Sequence, residues 1–331
     1  MTPSIRPDFI RPDFDPELSV LLGDAVTAED LARLNDVAPP VEVLLEGRSV
    51  SHRDVTIEMA DGAQIPLAVF TPTGVGDGEG ATGLPCVYWV HGGGMVAGDR
   101  FWQIDIPLEW TDHLGGVIVS VDYRLAPAVR GATPVEDCYR GLRWVVEHAA
   151  ELGVDPGRII VAGSSAGGGL AAGTALLARD RGGPSIAAQV LIYPMLDHRN
   201  ATTSSKQYAG MEGAFSTEVI VSCWQALLGG LTDDQVTGYI SPTRADDLSG
   251  LPPTYIDVGS AEIFRDEAIE YASRIWAVGG RAELKVWEGG FHGFDEIFPH
   301  AAVSVSARDS RIEWLRRLFT GNDANSGRDR T

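Results

Sequence analysis

Six short apolar runs, at residues 86–90, 117–121, 159–162, 188–193, 254–258 and 284–287, alternate with stretches of helical periodicity at 134–150, 166–179, 264–277 and 301–319. Apolar runs this short suit strands buried on both faces, and a helix between successive strands lets them pair in parallel. The alternation predicts an α/β fold: one mostly parallel sheet with helices on both faces. Upstream, Val55, Ile57 and Met59 alternate with Thr56 and Glu58, Asp61-Gly62 predicts a type I′ turn, and Ile65, Leu67 and Val69 continue on the other side. That pattern is an antiparallel hairpin.

Several stretches break the rhythm. Residues 197–252 hold no clear strand, only polar sequence mixed with Tyr208, Met211, Phe215, Trp224, Leu227 and Leu228. An insertion this long in an α/β domain is expected to form its own helices and to serve a function such as a lid. The leader, residues 1–50, repeats Arg6-Pro7-Asp8-Phe9 as Arg11-Pro12-Asp13-Phe14, with prolines that prevent a regular helix and phenylalanines suited to an apolar surface. In it, Thr27 to Asp30 reads as a capping box for a short helix that ends at Pro39-Pro40. The loop 71–83 is rich in glycine, and the polar tail, 321–331, reads as disordered. The core is therefore expected at 51–196 and 253–320.

Composition narrows the function. Apolar residues make up 44% and charged residues 22% of the 331, as in globular proteins. The formal charge of −20, with no polybasic cluster, argues against nucleic acid as a partner and favours neutral substrates. Cys86, Cys138 and Cys223 form no CxxC and suggest buried thiols rather than disulfides or a metal site. No segment resembles a signal peptide or a membrane span, so the expected setting is cytoplasmic and away from the membrane. Homo-oligomer formation is left open.

The chemistry is concentrated in three glycine-rich loops. Gly163-Ser164-Ser165-Ala166-Gly167 follows an apolar run and opens a helix, the context in which G-x-S-x-G projects a serine hydroxyl above a sheet. Only Ser165 has glycine at both −2 and +2. Taken alone the five residues also fit a glycine-rich helix start. His91-Gly92-Gly93-Gly94 follows another apolar run, and the N–H groups of Gly93, Gly94 and Ala166 suit an oxyanion hole. A rival reading takes Gly92-x-Gly94-x-x-Ala97 with Asp122 as a dinucleotide fingerprint, though Asp122 lies further on than the usual spacing.

Among seven histidines, His292 sits between glycines on the loop after the last apolar run and is the candidate base, with His198 the weaker contender. His52, His113, His148 and His300 read as surface or packing residues, and His91 as a support of its own loop. The orienting acid is expected between Ser165 and His292 in the chain; Glu262, just past the run 254–258, is the first candidate and Asp266 the second.

Together, His91-Gly92-Gly93-Gly94, Asp122-Tyr123-Arg124-Leu125-Ala126-Pro127, Gly163-Ser164-Ser165-Ala166-Gly167-Gly168 and Phe291-His292-Gly293-Phe294 resemble the hormone-sensitive-lipase-like family of α/β-hydrolases. The resemblance implies an α/β-hydrolase fold with a central sheet of about eight strands and a helical cap built from the leader and the insertion. It implies a serine esterase with Ser165 as nucleophile, His292 as base, and Gly93, Gly94 and Ala166 as oxyanion donors. Three positions depart from the family's habit: Ser164 and Glu262 stand where aspartate is usual, and Val129-Arg130-Gly131-Ala132-Thr133 replaces a proline-richer stretch.

The sequence thus reads as a cofactor-free, metal-free hydrolase of small neutral esters, with a lactone as the alternative substrate and a non-catalytic binding protein as a remote one. Tyr208, Met211, Phe215 and Trp224 are the expected pocket residues, although side chains of this kind equally form a cap's own core.

Overall fold

The apolar runs pair into one eight-stranded sheet, in a computed structural model that describes residues 10–19, 40–73, 83–210 and 216–325. The strands are β1 (Val50–Glu58), β2 (Gln64–Pro72), β3 (Leu84–Val90), β4 (Val117–Val121), β5 (Val154–Ser164), β6 (Ala188–Ile192), β7 (Thr254–Gly259) and β8 (Ala282–Trp287). Their order is β1-β2-β4-β3-β5-β6-β7-β8. β3 to β8 are parallel, and the β1–β2 hairpin adds antiparallel to β4. Every residue of β4, β6 and β7 is buried, as covering both faces of a sheet requires.

The order places β3 between β4 and β5. The connection from β3 leads to β4 on one side and that from β5 to β6 on the other, a reversal of strand order at whose carboxyl edge α/β folds bind ligands.

The helices follow their apolar spacing. Thr133–Glu147 begins with proline at its first turn and buries Val135, Cys138, Leu142 and Val145, one stripe at helical period. Ala166–Asp180 is different: every residue from Ala166 to Ala178 is buried, and its glycines explain how. A Cβ at Gly169 would lie 2.1 Å from the carbonyl oxygen of Met195, and one at Gly173 2.2 Å from that of Tyr239. The helix is clasped between the sheet and the segment 197–252.

Four details differ from the sequence reading. The hairpin turn is not type I′: Asp61 has no positive φ, the Gly62 N–H donates to Met59 O (2.9 Å), and Gly62 alone is left-handed at φ +81°. This is a three-residue loop with a glycine bulge, fixed by the Ala63 N–H donating to the Asp61 carboxylate at 3.1 Å. A further helix, Asp105–Leu114, lies between β3 and β4 and buries Ile106, Leu108 and Trp110; Pro107 suggests a break in sequence but sits in the first turn, where proline is tolerated. β5 is longer than its apolar run, starting at Val154. The last helix, Ala302–Asn325, passes Gly321, where the disordered tail was expected to begin; no proline interrupts that stretch.

The insertion carries no strand among the described residues. It forms the helices Thr203–Gln207 and Thr217–Leu228 and 3₁₀ turns at Asp233–Gln235 and Pro242–Arg244. Residues 10–19 lie against both it and the core: Gln207 Nε2 donates to Ile10 O at 2.6 Å, and the Asp15 N–H to Gly289 O at 3.0 Å. Phe14 meets the edge of Phe291 at 5.9 Å, the apolar docking foreseen for it. Phe9, the capping box at Thr27, Met211 and Phe215 lie outside the described residues.

Candidate active site

β5 ends at Ser164 and the next helix begins at Ala166, leaving Ser165 alone on the turn at φ 55°, ψ −123°. A side-chain-bearing residue is held there only where its surroundings over-determine it. Here the glycines do so. A Cβ at Gly163 would lie 2.4 Å from Gly167 O, and one at Gly167 2.1 Å from Val90 O, so neither position admits a side chain. The Ser165 N–H donates to Ile192 O (2.8 Å) and its carbonyl accepts from the Met195 N–H (2.9 Å), which pins the turn to the end of β6.

The Ser165 hydroxyl lies 2.9 Å from His292 Nε2, and His292 Nδ1 lies 2.7 Å from Glu262 Oε2. The other carboxylate oxygen of Glu262 accepts the Gly259 N–H at 2.7 Å, so the acid is tied to the end of β7. All three side chains are buried. The rings of Tyr193 (4.8 Å) and Phe264 (5.0 Å) meet the imidazole edge-on and limit its rotation. The loops after β7 and β8 touch closely enough that a Cβ at Gly259 would sit 1.9 Å from Gly290 O, and the Ala261 N–H donates to that oxygen at 3.0 Å. Side chains that are 127 and 30 residues apart in sequence thus form one hydrogen-bonded line.

The alternatives are occupied elsewhere. Asp266 accepts from the Ser204 N–H (2.7 Å) and Arg265 Nε (2.8 Å). His198 lies in the insertion, bonded to Asp233 and Ser241. Asp122, which the dinucleotide reading needs for a ribose, accepts from Arg100 at 2.8 Å.

The glycine loop after β3 turns on three consecutive positive φ values, Gly93 (104°), Gly94 (64°) and Met95 (63°). A Cβ at Gly93 would lie 2.2 Å from Ala97 O. The motif starting at Asp122 supports this loop: the Tyr123 hydroxyl donates to His91 O (2.9 Å), and the Ala126 N–H donates to Met95 O (2.9 Å). His91 stacks on Tyr123 at 4.2 Å and lies 2.8 Å from Gly92 O through Nδ1. Burial pushes its pKa down to about 4, so the ring is neutral at pH 7 and donates from Nδ1, because a carbonyl can only accept. The N–H groups of Gly93, Gly94 and Ala166 have no partner among the described residues, the condition for donating to an anion formed between them.

Tyr208 and Trp224, two expected pocket residues, are both buried in the insertion, and among the described residues neither the Tyr208 hydroxyl nor Trp224 Nε1 has a hydrogen-bond partner. Trp224 shares its helix with buried Ile220, Cys223 and Leu227, as a core residue would. One residue at the site was missed from sequence. Gln103 contacts Gly92, Ser164 and Glu296, and the only hint was the unusual serine at 164. No cluster of three metal-ligating side chains occurs among the described residues, and no described helix is long and apolar enough to cross a membrane.

Residues 87–296 match the family described as alpha/beta hydrolase fold. The chain is 34% identical to a carboxylesterase of Mycobacterium tuberculosis, NlhH, covering 95% of this chain and 99% of that one. A bacterial heroin esterase superposes with a TM-score of 0.84 at 36% identity, over 92% of this chain and 98% of the other. An esterase of Pyrobaculum calidifontis superposes with a TM-score of 0.77 at 32% identity, over 94% and 95% of the two chains.

Proposed function

This chain belongs to the α/β-hydrolases, in their hormone-sensitive-lipase-like branch of carboxylic ester hydrolases, and from that premise we propose that it cleaves small neutral esters through an acyl-enzyme on Ser165. The observation that carries the assignment is the unbroken line from Ser165 Oγ through His292 to Glu262.

In this reading His292 Nε2 takes the Ser165 proton as Oγ attacks the acyl carbon, then returns it to the departing alcohol. The imidazolium formed meanwhile sits against the Glu262 carboxylate, which also keeps the Nδ1 proton facing away from the serine. The tetrahedral oxyanion is received by the N–H groups of Gly93, Gly94 and Ala166, which have no other partner among the described residues. Water activated by the same histidine then releases the acid.

The substrate class rests on the acidic surface, with a formal charge of −20, and on the aromatic rings of Tyr193 and Phe264 beside the histidine. We assign residues 1–50 and 197–252 to a cap over this edge, in which Tyr208 and Trp224 line the acyl pocket. The relatives are carboxylesterases and esterases, which favours open-chain esters over lactones. A cytoplasmic setting agrees with three buried, unpaired cysteines.

The test is labelling with a serine-directed phosphonate, followed by peptide mapping. Modification of Ser165 and its loss in Ser165→Ala are expected, together with loss of p-nitrophenyl ester hydrolysis. Modification of Ser164, or of neither serine, rejects the assignment.

A further inference from the structure

Gln103 lies on the connection between β3 and the helix Asp105–Leu114, buried, with a positive φ of 60° on a residue that bears a side chain. Strain of this kind persists where several contacts hold it, and it collects at functional sites. The contacts are specific. Its Oε1 accepts the Gly92 N–H at 2.9 Å and also the Ser164 hydroxyl, and its Nε2 lies 2.5 Å from Glu296 Oε2. The Gly92 N–H can only donate, so the oxygen must face it and the amide N–H groups must face Glu296. A side chain at Gly92 would have to displace this amide, since a Cβ would lie 2.8 Å from Gln103 Oε1.

Each partner belongs to a different catalytic loop. Gly92 precedes the oxyanion donor Gly93, Ser164 precedes Ser165, and Glu296 lies one helical turn beyond His292 on the helix Phe294–Ile297. These loops follow β3, β5 and β8, which are not all neighbours in the sheet. We propose that Gln103 is a positioning residue for ester hydrolysis, whose single amide holds the oxyanion loop, the nucleophile turn and the histidine loop in one mutual register. The proposal rests on the reading of Ser165 and His292 as nucleophile and base.

Misplacing reacting groups by about 1 Å is enough to cost on the order of 10²-fold in rate, so Gln103→Met, which keeps the length and removes the three bonds, is expected to lower kcat by about that factor. KM should change little, and phosphonate labelling of Ser165 should slow in the same proportion in protein whose thermal unfolding shows it to be folded. A second pair of variants works from the more accessible end. Glu296→Leu removes the acceptor and should lower kcat, and Glu296→Gln, which restores an acceptor oxygen, should recover most of the loss.

Undiminished kcat and labelling rate in folded Gln103→Met overturn the proposal. If that variant does not fold, wild-type kcat in Glu296→Leu overturns it, as does failure of Glu296→Gln to recover what Glu296→Leu loses. Labelling of wild-type enzyme at a residue other than Ser165 overturns the nucleophile assignment itself and this proposal with it, an outcome separable from normal labelling at an unchanged rate.

Discussion

The described residues contain two serine–histidine–carboxylate lines, one at the carboxyl edge of the sheet and one inside the insertion. The first is Ser165, His292 and Glu262; the second is Ser241, His198 and Asp233, with His198 3.1 Å from the Ser241 hydroxyl and 3.0 Å from Asp233. Their distances barely differ, and their surroundings do. The Glu262 side chain is 1% exposed and bonded to the backbone of β7, whereas that of Asp233 is 69% exposed and shared with Arg244. The Asp233 carboxyl is held below its usual range, chiefly by the His198 contact, but an acid in solvent orients a ring weakly.

The serines differ more. Ser241 is wholly buried and spends its proton on Leu196 O (3.0 Å) while accepting the His198 N–H (3.2 Å), so it staples the start of the insertion. Ser165 stands on a strained turn, and the N–H groups of Gly93, Gly94 and Ala166 have no partner among the described residues. A hydrogen-bonded line of three residues therefore does not by itself meet what the proposed mechanism asks for. The nucleophile must also be free to lose its proton and must face donors for the charge it creates.

The largest test of this contrast removes the proposed nucleophile or its proposed base. Ser165→Ala and His292→Ala should each lower kcat by about 10⁶-fold, and the double variant should be scarcely worse, because members of one catalytic unit do not add. Steady-state kinetics on a p-nitrophenyl ester would show it. Near-normal activity in His292→Ala would instead bring the second line into play. Next in size is the acid: Glu262→Gln should cost roughly 10²- to 10⁴-fold in kcat with a modest change in KM, while Asp266→Asn, whose carboxylate serves Ser204 and Arg265, should cost far less. Equal, small losses would leave the line without its acid.

A smaller effect is expected where the insertion touches substrate. Trp224→Leu should shift the ratio of kcat/KM between short- and long-chain esters by roughly tenfold, the size of a single pocket contact. A lowered unfolding temperature with an unchanged ratio would make Trp224 core and nothing more. The smallest effect on activity belongs to the second line: Ser241→Ala should leave kcat where it was and cost about 1–3 kcal/mol of stability, the usual penalty for stranding buried hydrogen-bonding groups. Denaturant unfolding and kinetics measured on one preparation would separate the two.

Much of the candidate site's geometry was legible because it is local. Gly163, Ser165 and Gly167 lie within five residues, and the steric need for both glycines, visible in the 2.4 and 2.1 Å clashes a Cβ would make, is a property of one tight turn. Gly93 and Gly94 are legible for the same reason. Glu262 was within reach because the end of a strand points to the sheet's edge whatever surrounds it. The hairpin was legible too, but its turn was not, since the choice of a bulged loop over type I′ rests on the Asp61 carboxylate bonding both Ala63 and Arg124.

Gln103 shows the other limit. Nothing adjacent to it marks it, and its partners lie 11, 61 and 193 residues away. The insertion behaves likewise: its aromatic residues are visible as a group, but whether one lines a pocket or fills a core depends on what the leader and the sheet place beside it. By itself the sequence determined the strand–helix alternation, the turn that strains Ser165 and the glycine loop after β3, because backbone sterics and hydrophobic period act over a few residues. Only the tertiary structure decided which of these two serine–histidine–carboxylate lines has a hydroxyl not spent on a backbone carbonyl, a buried acid and an amide from Gln103 behind it, because burial and hydrogen-bond competition depend on which distant segments meet.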